Sequence, residues 1–349
     1  MRPGSYFVLP LLLSSICWAQ QGPKQAVIYD DDCSQDVDCV ATLPILYKLA
    51  DRGEIEIVAM IADSANPLTA PVMKIFAKQG GYPQTPIGAN RGDDPASAIC
   101  AKNNCNASKW TAELVEQFDK GDTRENYPDC VAVYRKALSH AAEHSVAIVE
   151  TGFTPCLLRL LASPADASSP LSGEALVKRS VRLLSIMGGR YPAGTEWNFA
   201  SDAAGYHALF LQWTRQNGFP PIYLNGFANG QHVMAGAPAS ASPATNPTLF
   251  AMQLTGKAQR PMWDMLSALF AARGLAYEGT TYFTASKAGT VAVDADTGAD
   301  RWSDAVDSGQ YVLTNAAPDE TFTALFDGYA HDGFLASPAA SPQGSPAHK

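Results

Sequence analysis

Apolar residues fall in short runs separated by polar, glycine-rich breaks. QAVIY, Gln25 to Tyr29, predicts a strand that feeds an acidic loop. VDCVATLPILYKLADRG, Val37 to Gly53, has helical spacing and stops at a glycine. IEIVAMIAD, Ile55 to Asp63, is almost continuously apolar, as buried parallel strands are. SANPLTAPVMKIFAKQGG, Ser64 to Gly81, predicts a loop and a helix closed by Gly80 and Gly81, and TPIGA, Thr85 to Ala89, a short strand. This alternation predicts an α/β fold with a parallel sheet, whose ligand loops lie at the carboxyl ends of the strands.

The alternation continues. Helices are predicted over Asp129–Ser145, Thr154–Ser163, Ser201–Gly218 and Met262–Gly274, with Thr154 near an N-cap. Strands are predicted over Val146–Gly152, Val181–Gly189 and Pro220–Phe227. Thr280–Trp302 alternates around DADTG and reads as a hairpin. The Pro/Ser/Ala-rich tail, 336–349, is expected to be disordered. No repeat or linker divides the body. We therefore expect one α/β domain over 20–335, with a mostly parallel Rossmann-like sheet flanked by helices.

Composition narrows the function. Apolar residues make up 46% of the 349, enough for a sizeable core. The net charge of −9 argues against nucleic-acid binding, which needs clustered Lys and Arg. No basic amphipathic stretch suggests a membrane surface. Residues 1–19 read as a signal peptide: Met1-Arg2, an apolar core from Tyr6 to Ile16, and small residues at the −3 and −1 positions, Cys17 and Ala19. The product is then secreted or periplasmic, and homo-oligomerisation is left open. Six further cysteines, at 33, 39, 100, 105, 130 and 156, favour disulfides in an exported chain. Six cysteines allow about 15 pairings, and spacing does not choose among them. Cys100 to Cys105, CAKNNC, is the best local candidate. Zinc is disfavoured, because no C-x-x-C pair or close histidine is present. Asn106 to Ser108 forms a glycosylation sequon if the host glycosylates.

The densest chemistry is DDDCSQDVDC, Asp30 to Cys39. Asp30, Asp32, Asp36 and Asp38 fall at even spacing, Asp31 is extra, and the loop contains no Lys or Arg. Two unit charges about 4 Å apart repel by roughly 4 kcal/mol at an effective dielectric near 20. A hard divalent cation accepts all-oxygen ligands and supplies the missing charge. The plainer reading is a solvated acidic turn, which a strand-to-helix setting disfavours.

This loop resembles the signature of the inosine–uridine-preferring nucleoside hydrolases, D-x-D-P-G-x-D-D, and matches a longer form at Asp30, Asp32, Asp36 and Asp38. The resemblance spans roughly residues 25–310. IADSANP places Asn66 in the site. VETGFTPCLLRLL offers the Thr154 carbonyl to a metal. IMGGRYPAGTEWNF sets Met187, Glu196 and Asn198 along a ribose, and MWDM supplies Asp264 as the last metal carboxylate. The resemblance implies a calcium ion that holds water and two ribose hydroxyls. Asp32 would be metal ligand and general base, and Asp38 a ribose or metal ligand. Trp263 stands where many members have a histidine, and it can stack on the base. The implied reaction is hydrolysis of a ribonucleoside, a small-molecule substrate, to base and ribose.

The chain departs from the signature at two places. Cys39 replaces the second residue of the D-D pair, a metal ligand in the family, and Ser34 replaces its glycine. Asp36 or water could fill the vacant ligand place, Cys33 and Cys39 could pair across the loop, or the site could be weak and the protein a non-catalytic binder of a nucleoside or ribose. A disulfide-stabilised protein that keeps only the fold is a further alternative.

Overall fold

The first apolar run becomes β1 (Gln25–Asp31), which passes through the acidic loop into α1 (Cys39–Asp51), β2 (Ile55–Ala62), α2 (Thr69–Gln79) and β3 (Ile87–Ala89). Helices α3 (Pro95–Asn103), α4 (Lys109–Phe118) and α5 (Cys130–His140) lead to β4 (Val146–Glu150). Then come α6 (Pro155–Ala162), α7 (Gly173–Ser180), β5 (Val181–Met187), β6 (Ala193–Thr195), α8 (Trp197–Ser201) and α9 (Ala203–Gln212). They are followed by β7 (Ile222–Asn225), α10 (Phe227–Gly230), α11 (Pro247–Leu254) and α12 (Asp264–Arg273). Four strands, Phe283–Ala285, Thr290–Val293, Ala299–Ser303 and Gln310–Asn315, precede α13 (Asp319–Asp332). This computed structural model describes residues 24–34, 36–91, 95–104, 108–236, 242–256 and 259–332. The expected signal segment 1–19, the tail 336–349, Cys105 and Asn106 lie outside them.

Eight strands form the main sheet, in the order Phe283–Ala285, Gln310–Asn315, β7, β5, β4, β1, β2, β3. All pairings are parallel except that of the edge strand Phe283–Ala285. The expected mostly parallel, helix-flanked sheet is thus present. From β1 the chain builds outward through β2 and β3; from β4 it builds the other way. The boundary between β1 and β4 is therefore the switch point at which α/β sheets place ligands.

The pleat of β1 sends successive side chains to opposite faces. Val27 and Tyr29 join the core made with α1, α2, α12 and α13, and Ile28 joins the core made with α5, α6 and α9. Asp31 continues the face of Tyr29, and Asp30 that of Ile28. This division decides which acid meets which helix.

The expected hairpin forms between Thr290–Val293 and Ala299–Ser303, and β6 adds a third strand to it. The start of that stretch behaves differently: Phe283–Ala285 leaves to pair with Gln310–Asn315 at the sheet edge, burying Phe283 against α12 and α13. Two disulfides are described, Cys33–Cys39 and Cys130–Cys156. The second ties α5 to α6. Cys100 is disulfide-bonded as well.

One buried ion pair fixes the far end of α12. Arg273 donates to both carboxylate oxygens of Glu54, at 2.8 and 3.0 Å, and to the hydroxyls of Tyr282 and Tyr329. Both side chains of the pair are under 5% exposed. Arg52, 42% exposed, also donates to Glu54 at 2.6 Å, so removing the Arg273 guanidinium leaves the carboxylate with one half-exposed partner and two buried tyrosine hydroxyls without theirs. Arg273→Met should lower the unfolding free energy by about 1–3 kcal/mol, read by urea denaturation.

Candidate functional site

At the switch point a cleft of about 190 Å³ opens above the carboxyl ends of β1 and β4. Its acidic part is formed by Asp32, Asp38 and Asp264 with Thr151, and Asp36 stands at its edge. Met187, Glu196 and Asn198 line a second side, and Trp197, Phe227 and Trp263 form an aromatic wall. The volume is below the roughly 300–1,000 Å³ of a drug-sized site and suits a pentose, with a base at the rim. A larger cleft, about 1050 Å³, lies near the amino ends of β1, β2 and β4, around Lys24, Glu56 and Ser145, away from these acids.

Asp31 organises the floor. It is fully buried, and its Oδ2 accepts from the Tyr29 hydroxyl at 2.5 Å and the Thr151 hydroxyl at 2.7 Å. Its Oδ1 accepts from the Cys33 amide at 2.6 Å. These bonds lock the end of β1 to the loop after β4. Sequence reasoning left Asp31 out of the site, although strand alternation from buried Tyr29 points its side chain inward. Asp264 is the first residue of α12, where the helix dipole favours a carboxylate.

The acids of the floor disturb one another. Burial and then Asp31 push Asp38 from 3.8 up to about 6. Burial, followed by Asp31 and Asp38, holds Asp32 well above the usual carboxylate range. Burial, followed by Asp38, Asp31 and Asp32, does the same to Asp264. Such elevation marks carboxyls packed with too little counter-charge. The cation beside them is shared: Arg260 interacts with Asp264, forms an ion pair with Asp36 and lies over the Trp263 ring. Asp36 is therefore drawn to the rim of the cleft.

Beneath this floor lies a second acidic group on the other face of β1. Asp30, Asp63 and Glu150 are fully buried. They accept from the Tyr134 hydroxyl, the Phe153 amide at 2.9 Å and the Gly152 amide at 3.1 Å, respectively. One oxygen of each has no hydrogen-bond partner. These three residues could hold a metal ion, since one ligand atom of each lies within 4.8 Å of the others. Without one, burial pushes Asp30 up to about 8 and raises Asp63 and Glu150 well above the carboxylate range, which favours their neutral, protonated forms. Gly152 separates the two layers: a Cβ there would stand 2.4 Å from Asp63 Oδ2 and 2.5 Å from the Asp32 amide. Asp31, Cys33 and Cys39 also lie close enough to share an ion. The disulfide consumes both thiolates, so that group does not form a metal site.

The structure brings Asp32, Asp38, Asp264, Met187, Glu196, Asn198 and Trp263 to one cleft. It does not bring Thr154 there. The Thr154 carbonyl accepts from Leu158 at 2.9 Å as α6 begins, and its amide and hydroxyl bond Asp202. Thr151, directly after β4, lines the cleft instead. The signal was present, because ligand groups sit where strands end and Thr154 lies past the turn into a helix. Asn66 is also absent from the cleft lining; its side-chain oxygen closes a turn by accepting from Leu68 at 2.9 Å. The Glu196 carboxylate caps α8, accepting from the Asn198 amide at 3.0 Å and from those of Phe199 and Gly189. Asn198 Nδ2 donates to the carbonyls of Thr151 and Met187 at 3.2 and 3.3 Å. Trp263 Nε1 donates to the Phe227 carbonyl at 2.9 Å, which fixes the aromatic wall. Trp197 and Phe227 are not marked by the sequence; Phe227 lies two residues past β7 and opens α10.

The sequence matches no family model and no curated protein. The fold is shared with solved structures. The effector protein XOO4466 is 16% identical with a TM-score of 0.66, covering 89% of this chain and 94% of its own. The effector XopQ complexed with adenosine diphosphate ribose is 15% identical with a TM-score of 0.64, over 89% and 94%. The plant nucleoside hydrolase PpNRh1 is 13% identical with a TM-score of 0.59, over 88% and 99%. The chain is thus a single-domain α/β protein with the fold of a nucleoside hydrolase.

The acids make a prediction independent of any ligand. Each binds its proton more tightly when folded than when unfolded, so stability is full at low pH and is withdrawn as pH rises, through about 6 for Asp38 and about 8 for Asp30. With a chelator present, the melting temperature should fall between about pH 5 and pH 8. A melting temperature that rises over that range would show that the acids are not held protonated.

Proposed function

We propose that the chain hydrolyses the N-glycosidic bond of a ribonucleoside, using a divalent cation for which calcium is the best fit. The observation that carries this reading is the convergence of Asp32, Asp38, Asp264 and Thr151 below an aromatic wall at the switch point of the sheet. The donor set is all oxygen and the described thiols near it are oxidised, which suits a hard ion and not zinc. Three carboxyls that burial and neighbouring acids hold above the usual carboxylate range would be relieved by two positive charges. A shared fold with a plant nucleoside hydrolase adds support.

Asp32, Asp38 and Asp264 would hold the ion, with Thr151 beside them. When bound, a cation of this kind lowers the pKa of water and takes sugar hydroxyls as ligands. Asp32 keeps an exposed edge toward the cleft and removes a proton from water. The water oxygen bonds to C1′ of the ribose as the C1′–N bond breaks; the electron pair of that bond leaves with the base nitrogen, which takes a proton from solvent while Asp32 returns its proton to solvent. A developing oxocarbenium ion is favoured by the surrounding carboxylates. Asp31 fixes the end of β1 and Thr151, and Asn198 is held ready for the sugar. Trp263, Phe227 and Trp197, the last 53% exposed, offer faces to the base. Two disulfides fit action outside the cytoplasm, and no described helix is long and apolar enough to cross a membrane.

A second reading is favoured by one observation. Cys39 is sealed in a disulfide and donates nothing to an ion, so the site has one carboxylate fewer than the signature it resembles. The protein would then bind a ribose-containing ligand without turnover. XopQ, crystallised with adenosine diphosphate ribose, makes that compound the ligand to try.

A reducing-sugar assay with inosine and uridine separates the two. The enzyme releases ribose, and Asp32→Ala lowers the rate at least about 100-fold. Calcium-dependent binding of ribose or adenosine diphosphate ribose without release selects the binder, and binding of neither calcium nor sugar rejects both. In the enzyme, Trp263→Ala should raise KM about tenfold and leave kcat nearly unchanged, since stacking on the base is lost while the acids stay in place.

A further inference from the structure

We propose that the Cys33–Cys39 disulfide is a covalent clamp that sets the geometry of the cation site, so that Cys33 and Cys39 are positioning residues for Asp32 and Asp38. The inference rests on the cation-dependent reading above and adds to it what compensates for the missing carboxylate at position 39.

The bridge joins residues six apart and closes a small ring that contains Asp36 and Asp38. Each sulfur-bearing residue directly follows a proposed ligand: Cys33 follows Asp32, and Cys39 follows Asp38. Both cysteines are buried, at 1% and 2% exposure. Each end is anchored. Cys39 is the first residue of α1, and the Cys33 amide donates to Asp31 Oδ1 at 2.6 Å. Cys33 has φ of +29°, a conformation that a non-glycine residue holds only where its surroundings enforce it. The amide bond to Asp31 and the bridge together do so.

A clamp answers a physical need. Asp32, Asp38 and Asp264 line one small cleft with Asp31 buried below them, and an open loop would relax such like charges by moving apart. Arg260 reinforces this by drawing Asp36 outward. Holding the ligands in place before the ion arrives removes the ordering entropy from binding, so preorganisation does part of the work of an added charged ligand.

Cys130–Cys156 is an internal control, since it ties α5 to α6 and contributes no residue to the cleft. Calcium affinity would be measured by calorimetry in wild type, in Cys33→Ser/Cys39→Ser and in Cys130→Ser/Cys156→Ser, together with the metal-free melting temperature of each. The clamp predicts a 10- to 100-fold loss of calcium affinity in the first variant and wild-type affinity in the second, about what removal of a ligand-orienting partner does, whatever the two changes in melting temperature. Equal affinity in the first variant and wild type overturns the clamp, as does equal weakening in both variants. A wild type that binds no calcium rejects the cation-dependent reading and the clamp with it. Hydrogen exchange on metal-free wild type tests the idea without a folded variant: the amides of Cys33 and Val37 should already be protected, with calcium adding less than tenfold. Protection that appears only with calcium overturns the clamp.

Discussion

Carboxyl groups buried at the ends of parallel strands must be neutralised, and the rest of this structure follows from how that is done. An ionised carboxylate taken from water without a partner is far too unfavourable to persist; it takes a proton or a cation. Here the pleat of β1 divides the acids into two layers. Asp30, with Asp63 and Glu150, faces α5, accepts from the Tyr134 hydroxyl and is pushed by burial up to about 8. Asp31, with Asp32 and Asp38, faces α12 and Asp264. Only glycine fits at position 152 between them.

The scaffold puts this tension where a ligand can relieve it. At the β1/β4 boundary the sheet order reverses and the loops after both strands splay around a crevice. Helix α12 carries Asp264 into that crevice from far along the chain, and its other end is pinned by the Arg273–Glu54 pair at the start of β2. The acids of the loop and the acid of the helix are thus brought together by two separate supports. The aromatic wall belongs to the same arrangement, because the Trp263 indole that precedes Asp264 is tied to the backbone after β7.

Identities of 13–16% to fold neighbours that include a hydrolase and two effectors mean that the scaffold alone does not name a reaction. What distinguishes this chain lies in its first loop. A disulfide occupies the place where the resembled signature has a ligand, Asp36 pairs with Arg260, and Asp31 bonds three groups at once. These features trade charge for rigidity around the remaining carboxyls.

The alternation of strands and helices, the parallel sheet and the acidic loop at the end of β1 were legible in the sequence, because apolar spacing and local charge density are properties of neighbouring residues. So was Asp264, set at the start of a helix. Other assignments were not. Thr151 and Thr154 are three residues apart, and only the point at which β4 ends and α6 begins decides which one meets the cleft. Asn66 follows β2 as the resemblance asks, yet its side chain closes its own turn. The disulfide partners, the capture of Asp36 by Arg260 and the central place of Asp31 depend on which backbone faces pack together. Sequence determined which residues carry charge and which segments are apolar. Tertiary structure alone decided which charges share a buried space, since that depends on contacts between residues distant in the chain that no local pattern encodes.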